Sequence, residues 1–600
     1  MFTTNDVHQQ FAAFFKSEIL QPYAYLVSRK LGEGHICLPL EDLNEEKETL
    51  PEHYKELLGK RHRLEDEPMI ATQAGQRRPF VLFNDRLYLQ RYFSYETRIL
   101  ERLLAFVQTE AVAFAERAGR LKELKELLAS LFPPAQSDEP QTDWQMIAAI
   151  TAFLNDFTII TGGPGTGKTT TVARILALLF HASPDLHVAL AAPTGKAAAR
   201  MAESLKKASS GLPEAIASKF QTLQPSTIHR LLGYVPDSSA FRHSAGNPLA
   251  FDVVVVDESS MIDAALFAKL LEAVGNGTRL ILLGDKDQLA SVEAGSLFGD
   301  LCQAQERLNI FDQHRALLFS ELVNEPARGL KQEDVGPHSA HPLFQHVVEL
   351  RYSHRFKGDQ GIGKFSRAVI RGDAEAVRSF LTSKDEQVRL YTSKDSSFLE
   401  EFGEGYADYI AEQDIASALQ KMNKLRVLCA VREGEQGLYL LNKKIENYLE
   451  RKKLIRVNAP FYENRPVMVT ANNYTAGLFN GDTGIVRTDS RGVLQVYFED
   501  SENGLKAVLP GYISKSETVF AMTIHKSQGS EFDRVLVVLP EDEELPILTR
   551  ELLYTGITRA RMQVCLEATE PVILKASERL VKRASGIAER MSTHVHQINS

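Results

Sequence analysis

The sequence is poor in cysteine and contains no long apolar run. Its 600 residues include only four scattered cysteines, none in a C-x-x-C spacing: Cys37, Cys302, Cys429 and Cys565. This pattern predicts neither disulfides nor a zinc site and indicates a reducing compartment. The chain lacks a basic start and any apolar stretch of about 18 residues. We therefore expect neither a signal peptide nor a membrane-spanning segment, and a cytoplasmic location.

The sequence also lacks an excess of positive charge, since its net charge is −9. That value argues against indiscriminate coating of nucleic acid, although a local basic groove remains compatible with it. The hydrophobic content of 44% and the charged content of 24% are ordinary, so we expect a globular protein. A chain of this length predicts several domains.

A glycine-rich run is the strongest motif in the sequence. It occupies residues 161–169, between an apolar strand at 157–160 and a helix that starts at Thr170. A GxxxxGK[ST] motif that follows a strand and leads into a helix predicts a phosphate-binding loop rather than a chance turn. Its backbone N–H groups would surround phosphate oxygens, Lys168 would reach the β and γ phosphates, and the Thr169 hydroxyl would hold Mg²⁺. The predicted nucleotide contacts are Gly162, Gly163, Pro164, Gly165, Thr166, Gly167, Lys168, Thr169 and Thr170.

Two acidic residues follow a run of four valines at 253–256. Such a run is typical of a strand that is buried on both faces of a parallel sheet. Asp257 and Glu258 would then lie at the carboxyl end of the strand, where open α/β sheets bind their ligands. Asp257 suits a Mg²⁺ ligand, and Glu258 suits the base that deprotonates or orients the attacking water. A surface turn is the alternative, but the phosphate loop upstream favours nucleoside triphosphate hydrolysis.

The pattern along the chain predicts an α/β protein with two parallel-sheet domains. We expect a mixed N-terminal domain at 1–115 and a helical linker at 116–140. The phosphate loop would belong to a domain at 141–343, and a second α/β domain would span 344–600 with a β-rich insertion at about 464–520. The strands predicted for the two sheets are 157–160, 187–192, 253–256, 280–283, 425–430, 534–539 and 563–566.

Other polar clusters follow predicted strands or lie in the second half. The segment 191–200 places a hydroxyl and a lysine at the start of a helix, where they could bind a DNA phosphate, although an ordinary strand–turn–helix connection is equally possible. Gln288 in 282–288 could sense the γ phosphate. The segments 351–356 and 554–561 each offer an arginine that could reach a transferring phosphate. Single arginines are usually solvated or paired, so this interpretation depends on the whole set.

These motifs together resemble superfamily 1 DNA helicases of the branch that moves 5′→3′. The resemblance rests chiefly on Thr523-Ile-His-Lys-Ser-Gln-Gly-Ser-Glu-Phe532 and on Thr555-Gly-Ile-Thr-Arg-Ala560, and it covers about 140–565. Further segments resemble the RecD family, the alpha subunits of exodeoxyribonuclease V. They lie at 32–39, 191–200, 284–295 and 478–482. The resemblance implies two RecA-like motor domains.

The resemblance also implies roles for particular residues. Gln145 would bind adenine, Glu531 would contact the ribose, and Gln288, Arg355 and Arg559 would surround the γ phosphate. The implied catalytic residues are Lys168, Asp257, Glu258, Gln288, Arg355 and Arg559, with Thr169 and Asp257 as metal ligands. The implied DNA contacts are Thr194, Lys196, His229, Thr523, His525 and Lys526. For His525, a buried structural histidine is the alternative.

The function implied is that of an ATP- and Mg²⁺-dependent DNA helicase subunit. It would join RecB-like and RecC-like subunits in a heterotrimer that processes double-strand DNA ends for recombinational repair. Residues 1–115 would dock the partners, and DNA cutting would belong to a partner because we find no convincing nuclease carboxylate cluster. A standalone helicase of the related type is one alternative. A switch or scaffold that hydrolyses ATP without moving along DNA is another.

Overall fold

The computed structural model describes most of the chain. The described residues are 6–58, 64–73, 75–134, 141–295, 297–303, 305, 307–356, 361–383, 385–391, 397–473, 475–500, 504–581 and 583–598. Among the helices in these ranges, none has the length and apolar character needed to cross a membrane.

A six-stranded parallel sheet, which we call the first sheet, contains the strand that leads into the phosphate loop. Hydrophobic residues cover both of its faces, as the apolar strand sequences predict. In spatial order its strands are Val347–Glu349, Phe157–Thr161, Arg279–Gly284, Val253–Val256, Val188–Ala192 and Ser226–Thr227. The helices around it are Trp144–Leu154, Lys168–Ala182, Gly195–Ser209, Glu214–Thr222, Ile228–Leu231, Ala264–Ala273, Leu297–Gln303 and Gln313–Leu322. The edge strand Val347–Glu349 extends this sheet past residue 343, where we placed the domain limit.

A five-stranded parallel sheet forms the core of the second half, and we call it the second sheet. Its strands, in spatial order, are Val388–Tyr391, Ala560–Glu567, Phe532–Val538, Leu425–Cys429 and Ala521–Thr523. The associated helices are Gly361–Arg371, Ala374–Thr382, Ser397–Gly405, Ala407–Ala411, Ile415–Met422, Leu438–Arg451, Arg550–Thr558 and Glu570–Glu578. Two parallel α/β sheets confirm the predicted fold class, and both contain the strands that the sequence predicts.

A separate antiparallel sheet lies between two strands of the second sheet in the sequence. Its strands, in spatial order, are Gly504–Val508, Leu494–Asp500, Thr483–Thr488, Pro466–Val469 and Ser516–Thr518. It has its own small core, which includes Val467, Val486, Val496 and Phe498. We call the connection 478–482 the reaching loop, because Phe479 contacts the first domain: a Cβ added to Gly195 would lie 3.2 Å from the Phe479 Cβ.

The N-terminal part combines a small sheet with helices. Its strands, in spatial order, are Cys37–Pro39, Arg86–Leu89, Phe80–Phe83 and Ile70–Ala71, and its helices are Val7–Ala13, Leu20–Gly32, Leu43–Lys47 and Glu52–Leu58. A long helix, Gln90–Glu123, then runs across the expected limit at 115/116, and Lys125–Leu131 follows. The helix continues because its apolar spacing continues: Ile99 and Leu103 before the limit, and Ala118 and Leu121 after it, pack into the cores on the two faces of the first sheet.

The C-terminal segment 583–591 returns to the N-terminal part. The backbone N–H of Ile36 donates to the Ala584 carbonyl over 3.0 Å. Ser585 donates to Asp300 of the first domain over 2.6 Å. The buried Glu96 carboxylate on the long helix lies 3.1 Å from the Arg590 guanidinium. The end of the second half is therefore attached to both other parts of the molecule.

Candidate functional site

The phosphate loop joins the strand Phe157–Thr161 to the helix Lys168–Ala182. Gly165 and Gly167 have φ angles of +76° and +83°, a region that side chains disfavour. Space also excludes side chains there, because a Cβ on Gly165 would lie 2.4 Å from the Arg355 Cβ and one on Gly167 would lie 2.3 Å from the Gln145 amide nitrogen. The loop is thus closely packed against groups that the sequence predicted as nucleotide contacts.

Lys168 is positioned inside the curve of the loop. Its Nζ donates to the Gly162 carbonyl over 2.6 Å and approaches the Gly163 carbonyl at 3.3 Å. The helix that starts at Lys168 presents unpaired N–H groups and the positive end of its dipole to the same space. The arrangement is chemically suited to binding phosphate oxygens.

A cavity of about 450 Å³ lies against this loop. Both parallel-sheet domains contribute to its lining, which therefore forms only when the two domains are together. It is lined by Pro164, Gly165, Thr166, Gly167, Lys168, Thr169, Thr170, Ala197, Arg200, Met201, Ser204, Lys207, Ala208, Asp257, Glu258, Gln288, Arg355, Gly529, Glu531 and Arg559. Every predicted catalytic residue lines this one space, which we call the phosphate cavity.

The two acidic residues follow the valine strand, as expected from the sequence. The Asp257 Oδ1 accepts a hydrogen bond from the Glu258 N–H over 2.8 Å. Burial and the neighbouring Glu258 charge raise the pKa of Asp257 to about 6, against the opposing effect of Lys168. Glu258 itself has a φ of +52°, an uncommon conformation for a residue with a side chain. This conformation is a form of backbone strain that is often found at functional sites.

Gln288 is 93% buried in the loop that follows the strand Arg279–Gly284. Its Nε2 donates to the Asp285 Oδ2 over 2.9 Å. Residues of the second domain hold this loop: the Tyr554 hydroxyl donates to the same Asp285 oxygen over 3.1 Å, and the Leu289 N–H donates to the Thr555 Oγ1 over 2.9 Å. The region of the expected γ-phosphate sensor is therefore hydrogen-bonded across the interface between the domains.

Arg559 immediately follows the helix Arg550–Thr558 and is 3% exposed. Its Nε donates to the Thr555 carbonyl and one terminal nitrogen donates to the Ser530 carbonyl, at 3.2 and 3.1 Å. Burial lowers the pKa of its guanidinium. These bonds aim a partly desolvated cation at the phosphate cavity.

Glu531 binds a cluster of arginines. Arg200 and Arg355 both pair with its Oε1, and the Arg561 Nε donates to its Oε2 over 3.1 Å. Burial alone would raise the pKa of Glu531, but the charges of Arg200 and Arg355 outweigh it and hold that pKa well below its ordinary value. Glu531 thus lies in the phosphate cavity, and the ribose contact inferred from the resemblance stays a prediction.

Arg200 is a site residue that the sequence reasoning did not select. It lies on the helix Gly195–Ser209, and its neighbours along the same face, Ala197, Met201 and Ser204, also line the phosphate cavity. Their spacing of three to four residues is the signal that could have identified it. Its pairing with Glu531 could not be read from the sequence, because the two residues are far apart in the chain.

A second cavity, of about 590 Å³, lies on the other side of the phosphate loop. Gln145 lines it, donating to the Thr166 carbonyl over 3.0 Å and accepting from Arg174 over 2.9 Å. Arg351 lies over the Trp144 ring at 4.9 Å from its centroid. The cavity has the aromatic and amide groups that suit a planar base, and its lining residues Arg174, Tyr352 and His354 were not predicted.

The predicted DNA contacts Thr194, Lys196 and Lys526 gather around the reaching loop. Thr194 caps the helix Gly195–Ser209 by accepting from the Ala197 N–H over 3.2 Å. Burial and the nearby Arg426 lower the pKa of Lys196 to about 8. The Lys526 Nζ donates to Asn480 of the reaching loop over 2.9 Å.

The remaining predicted DNA contacts differ in their exposure. His229 is exposed and touches the Phe241 ring edge-on, at 5.7 Å between centroids. Thr523 is buried, and its hydroxyl accepts from the Lys526 N–H over 3.3 Å. His525 is half-buried, and burial together with the Arg583 charge lowers its pKa. His525 therefore favours the neutral form, which makes it a weaker candidate for phosphate binding.

Three family models match the chain in different regions. Residues 4–88 match the N-terminal domain of RecBCD enzyme subunit RecD. Residues 145–294 match an AAA domain, and residues 518–566 match a UvrD-like helicase C-terminal domain.

Curated proteins are similar over most of the chain. The RecBCD enzyme subunit RecD of Mycolicibacterium smegmatis is 37% identical over 86% of this chain and 84% of its own length. That of Haemophilus influenzae is 36% identical over 84% and 80%. The ATP-dependent RecD2 DNA helicase of Deinococcus radiodurans is 30% identical over 67% of this chain, but only 46% of its own length is covered.

Among solved structures, similarity is found to a Pif1 helicase from Bacteroides in complex with ADP-AlF3 and single-stranded DNA. The match covers 78% of this chain and 98% of that chain, with 15% sequence identity and a TM-score of 0.36.

Proposed function

The chain belongs to the RecD family of RecBCD enzyme subunits, and from that premise we propose that it is an ATP-dependent DNA helicase subunit that moves 5′→3′. In this proposal it works with RecB-like and RecC-like subunits in a heterotrimer that processes double-strand DNA ends for recombinational repair. The relatives with that name from Mycolicibacterium smegmatis and Haemophilus influenzae span more than four-fifths of the chain at 36–37% identity. The standalone RecD2 helicase is less similar and much longer than the matched region.

One observation carries the proposed chemistry: the phosphate cavity has the phosphate loop on one side and Arg559 of the second domain on the other. Lys168 and the loop N–H groups would bind the phosphates of ATP. Arg559 would reach the γ phosphoryl group, where negative charge develops during transfer. Because the arginine belongs to the second domain, hydrolysis requires the two domains to close around the nucleotide.

The side chains present also fit a Mg²⁺ ion. The Thr169 hydroxyl and the Asp257 carboxylate supply the oxygen ligands that this cation prefers, and both line the phosphate cavity. Burial raises the pKa of Asp257, and a bound cation would stabilise its charged form. Mg²⁺ would neutralise charge on the β and γ phosphates.

Hydrolysis would proceed by attack of a water oxygen on the γ phosphorus while the bond to the bridging oxygen breaks. Glu258 would accept the proton of that water, and ADP and phosphate would leave. Gln288 would orient the water or the γ phosphate. The Gln145 amide would recognise the base in the neighbouring cavity, which accounts for a preference for adenine.

DNA would lie across both domains near the reaching loop. This loop contacts Gly195 on the first domain and Lys526 on the second. Lys196, Lys526 and Thr194 offer phosphate contacts, and Phe479 offers a ring for base stacking, which gives binding with little sequence preference. Closing and reopening the cleft would move the two sets of contacts relative to each other and so advance the strand.

We assign partner docking to the N-terminal part and DNA cutting to a partner subunit. The matched RecD N-terminal domain at 4–88 supports the docking role. Phe14 is 85% exposed there, so Phe14→Asp should weaken co-purification with RecB-like and RecC-like subunits while ATPase activity persists. Leu317→Asp, at an exposed site on the helix Gln313–Leu322 outside the N-terminal part, is the control. Equal co-purification of Phe14→Asp and wild type would contradict docking at this surface.

The motor is tested by unwinding of duplexes with a 5′ or a 3′ single-stranded tail. The full chain should unwind only the 5′-tailed duplex, and Lys168→Gln should abolish unwinding with little change in melting temperature, since the change leaves no cavity. Lys206→Gln, an exposed lysine on a neighbouring helix, is the control. If the isolated chain is inactive, the assay is repeated with the partner subunits. Unwinding from the 3′ tail, or unwinding by Lys168→Gln, would refute the proposal.

A further inference from the structure

The amide of Gln288 is fixed in one orientation. Its Nε2 donates to the Asp285 Oδ2 over 2.9 Å. A carboxylate can only accept hydrogen bonds, so the amine end of the amide must face Asp285 and the carbonyl end must face away. Within the described residues, the Gln288 Oε1 has no hydrogen-bond partner although its atom is buried. The side chain as a whole is 93% buried and lines the phosphate cavity.

The orientation matters chemically because the two ends of the amide do opposite things. A carbonyl oxygen can accept a hydrogen bond from a water molecule, whereas an NH₂ group can only donate one. With Oε1 free, Gln288 is suited to orient the water that attacks the γ phosphorus. A rotated amide would offer a donor there and would lose that capacity.

Asp285 is itself held by the opposite domain. The Tyr554 hydroxyl donates to the same Oδ2 over 3.1 Å, and Tyr554 is buried, with 6% of its surface exposed. Burial and the charges of Asp285 and Asp287 raise the pKa of Tyr554 far above its ordinary value, so its hydroxyl keeps its proton and acts as a donor. The next residue, Thr555, accepts from the Leu289 N–H over 2.9 Å.

We propose that Tyr554 is a positioning residue, through which domain closure sets the orientation of Gln288 for attack by water. This proposal rests on the proposed function and extends it. In the closed state the Tyr554 hydroxyl holds Asp285, and Asp285 holds the Gln288 amine. When the domains separate, Asp285 loses its donor from the second domain, so the carboxylate that holds the Gln288 amine is no longer fixed in place against the cavity. Hydrolysis is thereby confined to the closed state, in addition to the requirement for Arg559.

Tyr554→Phe tests the proposal, because it removes the hydroxyl and keeps the ring. The matched control is Tyr409→Phe, which removes another buried tyrosine hydroxyl of the same half, one that donates to the Asn464 carbonyl over 2.8 Å. Both variants lose one buried hydrogen bond, so both should lose similar stability. Steady-state ATPase is measured on the full chain with saturating single-stranded DNA, alongside melting temperature.

We expect Tyr554→Phe to lower kcat about tenfold with KM for ATP changed less than about twofold, and Tyr409→Phe to leave both nearly unchanged. A split of this kind indicates a group that acts on the reacting geometry rather than on nucleotide binding. An unchanged kcat in Tyr554→Phe, or an equal loss in Tyr409→Phe, would overturn the proposal.

A double-mutant comparison tests the route through Gln288. Gln288→Ala removes the group that Tyr554 is proposed to orient, so adding Tyr554→Phe should then cause no further loss of kcat. Independent, multiplying losses would refute the route. If Tyr554→Phe fails to fold, Asp285→Asn is used instead. The asparagine amide can accept from or donate to Gln288, so the Gln288 amide is no longer restricted to one orientation. Absence of DNA-stimulated ATPase in the wild type would instead count against the proposed function.

Discussion

The two parallel sheets form the two sides of the phosphate cavity with different kinds of groups. On the first sheet the main contributions are backbone N–H groups of the phosphate loop and side chains that start at the loop or at a strand end, such as Lys168 and Asp257. On the second sheet they come from around one helix, Arg550–Thr558: Arg559 just after it lines the cavity, and Tyr554 within it bonds Asp285 of the first domain. The first set is fixed by its own loop, whereas the second reaches the cavity only across the interface.

This difference separates the groups that bind the nucleotide from the groups that trigger its hydrolysis. A backbone cradle with a helix N-terminus can bind phosphates whether or not the other domain is close. An arginine from the opposite domain contributes only in the closed state, and therefore makes hydrolysis depend on closure. Changes on the first side should affect binding or chemistry directly, and changes on the second should affect kcat more than affinity.

Arg559→Lys should give the largest effect on the second side. Lysine keeps the charge but loses the planar group whose Nε and terminal nitrogen bind the Thr555 and Ser530 carbonyls. We expect kcat for ATP to fall about 1,000-fold, with nucleotide affinity within a few-fold of wild type. Steady-state kinetics and binding of a fluorescent nucleotide measure the two quantities.

The exposed Arg378→Lys, on the far helix Ala374–Thr382, is the control for that exchange. A loss of affinity as large as the loss of kcat would remove the distinction between a binding side and a triggering side.

Glu258→Gln should give a somewhat smaller loss on the first side. The amide cannot accept the proton of the attacking water, so we expect kcat to fall about 100-fold or more while ATP still binds. Glu203→Gln, an exposed position on the helix Gly195–Ser209, should behave as wild type. Retention of most of the activity in Glu258→Gln would show that another group takes the proton.

Asp257→Asn should show that a group needed for hydrolysis on the first side lowers the stability of the folded chain. Burial raises the pKa of Asp257 to about 6 from its ordinary value of 3.8, so its charged form destabilises the folded chain above pH 6. Expressed as free energy of unfolding, this pKa shift of Asp257 corresponds to a loss of at most about 3 kcal/mol, and to less in practice because the side chain is partly exposed. The variant should therefore unfold at a higher temperature than wild type at pH 8, and lose ATPase activity.

The sign of this effect follows from proton binding. Between pH 6 and pH 4 the folded chain holds a proton on Asp257 that the unfolded chain releases, so the wild type recovers stability as the pH falls. The gain of Asp257→Asn should shrink across that range. Melting curves at pH 8, 6 and 4.5, with the exposed Asp185→Asn as control, measure it. If the rise in melting temperature caused by Asp257→Asn does not change with pH, better packing and not the removal of a charge would explain the added stability.

The phosphate loop and the inner strands of both sheets were predictable because their signals are local, whereas the edge strands of both sheets were not predicted. A glycine run between an apolar strand and a helix, or four valines in succession, indicates its structure without knowledge of the rest of the chain. Only the family resemblance predicted that Lys168, Glu258 and Arg559 lie in one cavity, because nothing local in the sequence links them.

The arginine cluster around Glu531 and the Tyr554–Asp285 bond were not predictable in this way. Each joins residues from separate elements, and the choice of partner depends on how the two domains meet. The long helix Gln90–Glu123 shows the same limit. We expected a helical linker at 116–140, but the helix begins at Gln90 and is interrupted at Leu124, because packing against the first sheet determines how far it runs.

The C-terminal segment 583–591 restricts how the second half can move relative to the first domain. That half is joined to the first domain through the stretch after Leu350, where the Leu350 N–H bonds the Thr161 carbonyl, and again through Ser585, while Arg590 joins it to the long helix. A half that is tied at both ends of its chain cannot slide freely past the first domain. We therefore expect the cleft to open by rotation, so that the closing motion reaches the DNA strand as a torque.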